Sequence, residues 1–301
     1  MKKLLVLFAG CALVACQPAT ETEEAATAEA AAEPAAEAPA EVDALGAVLD
    51  AQSDEVKARY QYRHPQETLQ FFGIEPGMTV VEGLPGRGWY TQILLSYLGA
   101  DGTLIGADYA LEMYPNFGFA NEEFMADKAN WVENFVAGAA EMGGENSASA
   151  AAFHFGSMPE ELQGTADVVF FPRVLHNLAR FEAAGGFLTA ALADAYAVLK
   201  PGGTFGVVQH HARDDMSDEF ADGNRGYLKK AFVVAVAEAA GFEFVGESDI
   251  NANPNDQPTE DDVVWRLPPT FGTSRDNPEL KAEIETVGES HRMTLKFRKP
   301  E

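Results

Sequence analysis

Val80-Val81-Glu82-Gly83-Leu84-Pro85-Gly86-Arg87-Gly88-Trp89-Tyr90-Thr91 is the stretch on which the fold turns. An apolar run over residues 78–82 ends in an acid, and a helical pattern follows from Trp89 to Leu98, so the glycines between them mark a strand-to-helix turn. Gly86 and Gly88 allow the backbone to approach a ligand where a side chain would stand in the way. Glu82 closes the strand, placed to accept hydrogen bonds from an amine or a hydroxyl. A second apolar run, 103–107, ends at Asp108, where an acid can take both hydroxyls of a ribose. The glycines run G-x-x-G-x-G. A dinucleotide fingerprint runs G-x-G-x-x-G, and two acids suit a pyrophosphate poorly.

Working outward, apolar strands alternate with helical stretches. Strands are predicted at 78–82, 103–107, 150–155, 167–171, 204–209, 242–247 and 292–297. Helical segments are predicted over 53–72 (broken at His64-Pro65), 89–98, 121–142, 183–199 and 227–240, with Lys200-Pro201-Gly202-Gly203 as a turn. This alternation predicts an α/β fold with a doubly wound, mostly parallel sheet and helices on both faces. On the helix over 227–240, Phe232, Val236 and Ala240 are spaced as a buried face.

The acid-and-glycine loop resembles motif I of class I S-adenosylmethionine-dependent methyltransferases, with Leu84 in place of the first glycine. Three further stretches resemble the same family. They are Asp167 through Asn177 (fourth strand and following loop), Leu199-Lys200-Pro201-Gly202-Gly203-Thr204 before strand five, and Ala239-Ala240-Gly241-Phe242 before strand six. The resemblance covers residues 76–247, with 292–297 as the antiparallel seventh strand, and implies seven strands in the order 3-2-1-4-5-7-6. It implies S-adenosyl-L-methionine as cofactor, held by Glu82, Gly86, Gly88, Tyr90 and Asp108. Ser157 stands where the family often carries an Asp on the adenine amine. Tyr62-Arg63-His64-Pro65, Pro85 through Thr91, Asn251-Ala252-Asn253-Pro254 and Arg292-Met293-Thr294-Leu295 are similar to an uncharacterised group of predicted bacterial methyltransferases, many with export signals.

Methyl transfer needs an aligned nucleophile and, for a protonated one, a base. His176 follows strand four and His210 and His211 end strand five. The implied order makes these strands neighbours, so His176 and His210 are the candidate bases, with Arg173 to orient an anionic substrate group. His210, His211, Asp214 and Asp215 also raise a metal site. Adjacent strand residues point to opposite faces, however, which disfavours a shared ion, and no metal is assigned. Trp89 is assigned to the core and Tyr90 to the cofactor side. Tyr62, Arg63 and His64 form either a lid or an edge packing, and 251–269 either a substrate rim or a connection.

The chain ends set the setting. Residues 1–16, MKKLLVLFAGCALVAC, carry two lysines and an apolar run too short to span a bilayer, and thus read as a signal peptide. Leu13-Val14-Ala15-Cys16 resembles a bacterial lipobox, implying a diacylglycerol on Cys16 and a periplasmic-side, membrane-anchored protein of the cell envelope; Cys11 is a second candidate. Residues 17–44, rich in Ala, Glu and Pro, predict a disordered tether, leaving 45–301 as the folded domain. Both cysteines lie in the signal, so the mature domain has no thiol chemistry. With 47 acids against 21 bases, a net charge of −26 argues against nucleic-acid partners. The predicted partner is a small-molecule substrate. A non-catalytic envelope protein that keeps the fold as a binding module is the alternative.

Overall fold

The computed structural model describes residues 43–301. The signal, lipobox, Cys16 and most of the tether predicted from sequence lie outside the described residues. The folded part begins slightly earlier than predicted. A helix starts at Ala44, and the Asp43 carboxylate caps it by accepting from Gly46 N at 2.8 Å.

Seven strands form one sheet: β1 (Thr79–Gly83), β2 (Thr103–Asp108), β3 (Ser149–His154), β4 (Ala166–Pro172), β5 (Leu199–His210), β6 (Glu243–Ser248) and β7 (Arg292–Arg298). Their order is β3-β2-β1-β4-β5-β7-β6, the order implied by the class I methyltransferase resemblance. β1 to β5 pair in parallel, and β7 inserts antiparallel between β5 and β6. The connections run outward from β1 to β3, then return to β4 on the other side. This opens a crevice at the carboxyl ends of β1 and β4, where ligands bind in such sheets.

Alternation along the central strands builds two cores. Val80, Val168, Phe170 and Val208 face one side, packing with Leu69, Phe72, Ile93 and Leu94 of the helices Pro65–Phe72 and Trp89–Leu98. Val81, Val169, Phe171 and Val207 face the other, against Leu188, Leu192, Val233 and Ala237 of the helices Phe187–Val198 and Lys230–Ala239. Every strand of the centre is therefore covered on both faces, as a parallel sheet requires.

Four local expectations change. The stretch 121–142 is two helices, Glu122–Ala129 and Trp131–Gly143, broken at Asn130 and preceded by a 3₁₀ helix, Leu111–Phe117. The helix over 183–199 is divided at Gly186, whose φ of +69° interrupts it. Pro201-Gly202-Gly203 runs within β5, absorbed by a bulge opposite Ala166–Val168. The last long helix begins at Lys230, and its buried stripe is Val233 and Ala237. Phe232 is 39% exposed and, with Val236 and Ala240, lines a surface groove.

Candidate active site

Leu84, Pro85 and Gly86 leave β1 at the crevice. Leu84 N–H donates to Ala107 O at 2.7 Å, tying the loop to β2. Leu84 adopts φ +51°, the left-handed conformation natural to the glycine that the motif resemblance expects there. Gly86, φ +59°, is exposed, and a Cβ built on it would meet nothing nearer than Leu84 O at 3.8 Å. Space for a ligand therefore opens above it. Gly88, φ +76°, is buried. A Cβ there would meet the movable tip of the half-exposed Met142 at 2.9 Å, so it is the left-handed backbone that favours glycine.

A cavity of about 320 Å³ extends from this loop across the ends of β4 and β5. Gly86, Arg173, His176 and His210 all border it, as do Arg63 and Trp89. The candidate bases thus meet as expected: the His176 and His210 rings lie 5.3 Å apart at 58°. His210 shares the face of Val208, while His211 points away and stacks on His291 at 5.2 Å. His210 Nδ1 lies 2.6 Å from Ser290 Oγ, which fixes the ring, and Nε2 has no partner among the described residues. His176 Nδ1 is buried with none either. Among the described residues no group of three His, Cys, Asp or Glu side chains converges as a metal site.

Burial favours the neutral imidazole. It pushes His176 down to about 4, with Gln209 acting in the opposite sense and the Arg173 and Arg180 charges adding to the fall. Burial, His176 and the surrounding arginines hold His210 well below the ordinary range. Both rings are therefore neutral at pH 7, the state a proton acceptor needs. The sign for stability follows. Below pH 6.5 the unfolded imidazoles take protons that the buried ones refuse, so their contribution is lost as pH falls toward 4. Glu82 works in the other direction: burial outweighs the Thr91 hydrogen bond and raises it to about 7, so its contribution fades as pH rises through that value. The difference between wild type and His176→Gln isolates the imidazole. The wild type is expected to lose about 3 kcal/mol more than the variant between pH 6.5 and 4 in urea melts. Parallel pH profiles would contradict a neutral buried His176.

The acids at the ends of β1 and β2 are differently engaged. Glu82 accepts from Thr91 Oγ1 at 2.7 Å and is buried beneath the glycine loop. Asp108 Oδ1 accepts from Tyr109 N at 2.9 Å, and Oδ2 from Tyr114 Oη at 2.7 Å and Lys128 Nζ at 2.9 Å. The carboxylate expected on a ribose is thus covered by the segment after β2. Removing the competing cation exposes it, so Lys128→Met is expected to tighten S-adenosylhomocysteine about tenfold, the scale of one charge-assisted hydrogen bond. Calorimetry showing equal or weaker affinity would place Lys128 as a support of the site.

Of the residues expected to hold the cofactor, Gly86 borders the cavity, whereas Glu82, Gly88, Tyr90, Asp108 and Ser157 do not. Tyr90 is buried in the core, edge-on to Phe170 at 4.8 Å, and does not border the cavity. Its neighbour Trp89 does, with the Arg63 guanidinium 4.4 Å above its ring. Ser157 is exposed, outside the cavity, following a turn in which Gly156 N donates to Asp194 at 2.6 Å.

The segments flanking the sheet in sequence complete the cavity. Trp265, Leu267, Pro268 and Pro269 form its apolar wall, so the stretch 251–269 contributes a rim. It is held by Arg266, which donates to Asp256 at 2.8 Å and to Tyr227 Oη at 3.0 Å. Asn251 Nδ2 bridges Thr68 and Thr294, each at 3.0 Å, and Arg292 donates to Tyr62 O at 2.8 Å. These bonds join stretches that are remote in sequence. Glu289, missed in the sequence, receives Arg59, Arg63 and Arg292 together. Burial alone would raise its carboxyl, but these arginines and Arg173 bring it down to about 2.

No family profile and no curated protein matches the chain. Solved structures resemble it at low identity. A SAM-dependent methyltransferase from Aquifex aeolicus is 18% identical with TM-score 0.44, covering 69% of this chain and 93% of that one. A geranyl diphosphate methyltransferase in complex with SAM is 14% identical with TM-score 0.46, covering 84% and 94%. The [4+2]-cyclase SpnF is 15% identical with TM-score 0.47, covering 79% and 80%.

Proposed function

We propose that the protein transfers a methyl group from S-adenosyl-L-methionine to a small acceptor held in the cavity over β4 and β5. The observation that carries this reading is the meeting of an open glycine loop with two neutral, buried imidazoles in one cavity. Fold likeness by itself does not establish an activity.

The residues present fit the cofactor in placement. Gly86 leaves room beside the loop, and Glu82 and Asp108 end the adjacent strands β1 and β2, Asp108 being open to a ribose once Lys128 and Tyr114 release it. When bound, the cofactor's sulfonium would supply an electrophilic methyl group for displacement by the acceptor's nucleophile. The chain's residues do the rest. His176 or His210 takes the nucleophile's proton, and Ser290 holds the His210 ring in place. Trp265, Leu267 and the two prolines exclude water from one side. The reading is tested by S-adenosylhomocysteine binding and by methyl transfer from labelled donor to acceptor pools. Binding without any transfer favours the non-catalytic alternative.

We also propose that the chain is lipid-anchored through Cys16 on the periplasmic side of the cell envelope. Cys16→Ser is expected to abolish labelling by palmitate in growing cells. Labelling that persists would rule out Cys16 as the acceptor of the lipid.

A further inference from the structure

The cavity is cationic in a protein of net charge −26. Arg59, Arg63, Arg87 and Arg173 border it, with Glu289 as the one bordering carboxylate among the described residues. Glu289 is already shared among Arg59, Arg63 and Arg292. Glu82 lies within electrostatic reach, but burial raises it to about 7, so near neutrality it carries only part of a charge. The two histidines are neutral. Positive charge in the cavity is therefore left without a counterion.

Arg173 shows this most clearly. Its side chain is part-buried and borders the cavity, with no ion pair and no hydrogen bond among the described residues. Burial and the nearby Arg292 push it down to about 10, and burial with Arg173 pushes Arg63 to about 8. Arg63 Nη1 is likewise buried without a partner. Arg173 also adopts φ +66°, a conformation a non-glycine residue holds only at a cost, immediately after β4 at the crevice. A part-buried guanidinium without a partner, held on strained backbone, lowers stability, and such costs are retained where a ligand needs them. The opposite wall is apolar, built of Trp265, Leu267, Pro268 and Pro269.

We propose that this cavity recognises its acceptor through an anionic group, a carboxylate or phosphate ester on a compact apolar body, with Arg173 as the principal contact and Arg63 and Arg87 beside it. The guanidinium fork matches either anion in two-point fashion. The apolar wall takes the body, and the anion sits next to His176 and His210. Naming the ligand as the acceptor rests on the methyl-transfer reading; the anion site itself does not.

The test uses the purified full-length chain and three probes of one size: benzoate, phenyl phosphate and the neutral benzamide. Calorimetry and thermal shift are expected to show binding of the two anions and not of benzamide. Arg173→Gln is expected to weaken both anions at least about tenfold and, without ligand, to melt at or above wild type because a repulsive charge is gone. Arg87→Gln, on the exposed loop, is expected to weaken them about threefold and guards against a misfolded Arg173 variant. Equal binding of benzamide, or anion binding unaffected by both substitutions, overturns the proposal. Comparison of S-adenosylhomocysteine with 5′-methylthioadenosine, which lacks the amino-acid carboxylate, separates the two sources of anion. If Arg173→Gln weakens the first and spares the second, Arg173 holds the cofactor's own carboxylate and the proposal falls. If neither nucleoside binds while benzoate binds through Arg173, the anion site stands and the methyl-transfer reading alone fails.

Discussion

Alanine in place of His176 or His210 is expected to lower turnover by roughly 10²–10⁴, the usual contribution of a positioned general base, while leaving S-adenosylhomocysteine affinity within about twofold. The geometry behind this is specific. Both rings border the cavity and lie 5.3 Å apart. His210 is oriented by Ser290 and keeps Nε2 free of partners among the described residues, which makes it the better-held acceptor of a proton. Ser290→Ala should therefore lower turnover less than His210→Ala, in the same direction. His211→Ala is expected to leave turnover nearly unchanged, because that ring is engaged with His291 on the other face of β5. Single-turnover rates with the acceptor that the wild type methylates would decide it. Full activity in both His176→Ala and His210→Ala would remove the base assignment.

Gly86→Val is expected to abolish cofactor binding, a loss of at least about 10²-fold, with the domain still folded. The position explains both halves of this result. At φ +59° a β-branched residue is strained by roughly 1–2 kcal/mol, which a domain of this size survives. A Cβ there meets no protein atom within 3.4 Å, so the new side chain projects into the open space beside the loop without disturbing the core. Gly88→Val is expected to behave differently. Gly88 is buried at φ +76° where the helix Trp89–Leu98 begins, with Thr91 Cβ 3.6 Å from its own Cβ position, so valine's branches find no open space and stability should fall together with binding. Far-ultraviolet dichroism with calorimetry separates the cases. Wild-type affinity in folded Gly86→Val would detach the glycine loop from the cofactor.

The sheet was legible because its signals are local. Each apolar strand is followed by a turn or a helix, and the loop at 83–88 fixes where β1 ends, whereas the glycines at 202–203, read as a turn before β5, lie inside that strand. The pairing of candidate histidines followed from the strand order alone. The Trp89 and Tyr90 sides were exchanged because the facing of a helix's first residues depends on how Gly88, in the left-handed conformation, launches it. The stripe of the helix Lys230–Ala239 was misassigned because Ala, Phe and Val surround it on nearly all sides, so a period of 3.6 selects no unique face. Arg173 was marked in the sequence, but the rest of the cationic wall was not, for a different reason. Arg59 and Glu289 are 230 residues apart, and nothing near either residue marks their contact. The cover on Asp108 by Lys128 likewise depends on how the two helices after β2 fold back.

The central claim is that the open loop at Gly86, flanked by Glu82 and Asp108, holds S-adenosylmethionine. Titrating S-adenosylhomocysteine into the purified full-length chain by calorimetry tests it most directly. A single site of micromolar affinity is expected, eliminated by Gly86→Val and strengthened by Lys128→Met. No heat of binding at millimolar ligand, in wild type and in Lys128→Met alike, would contradict it.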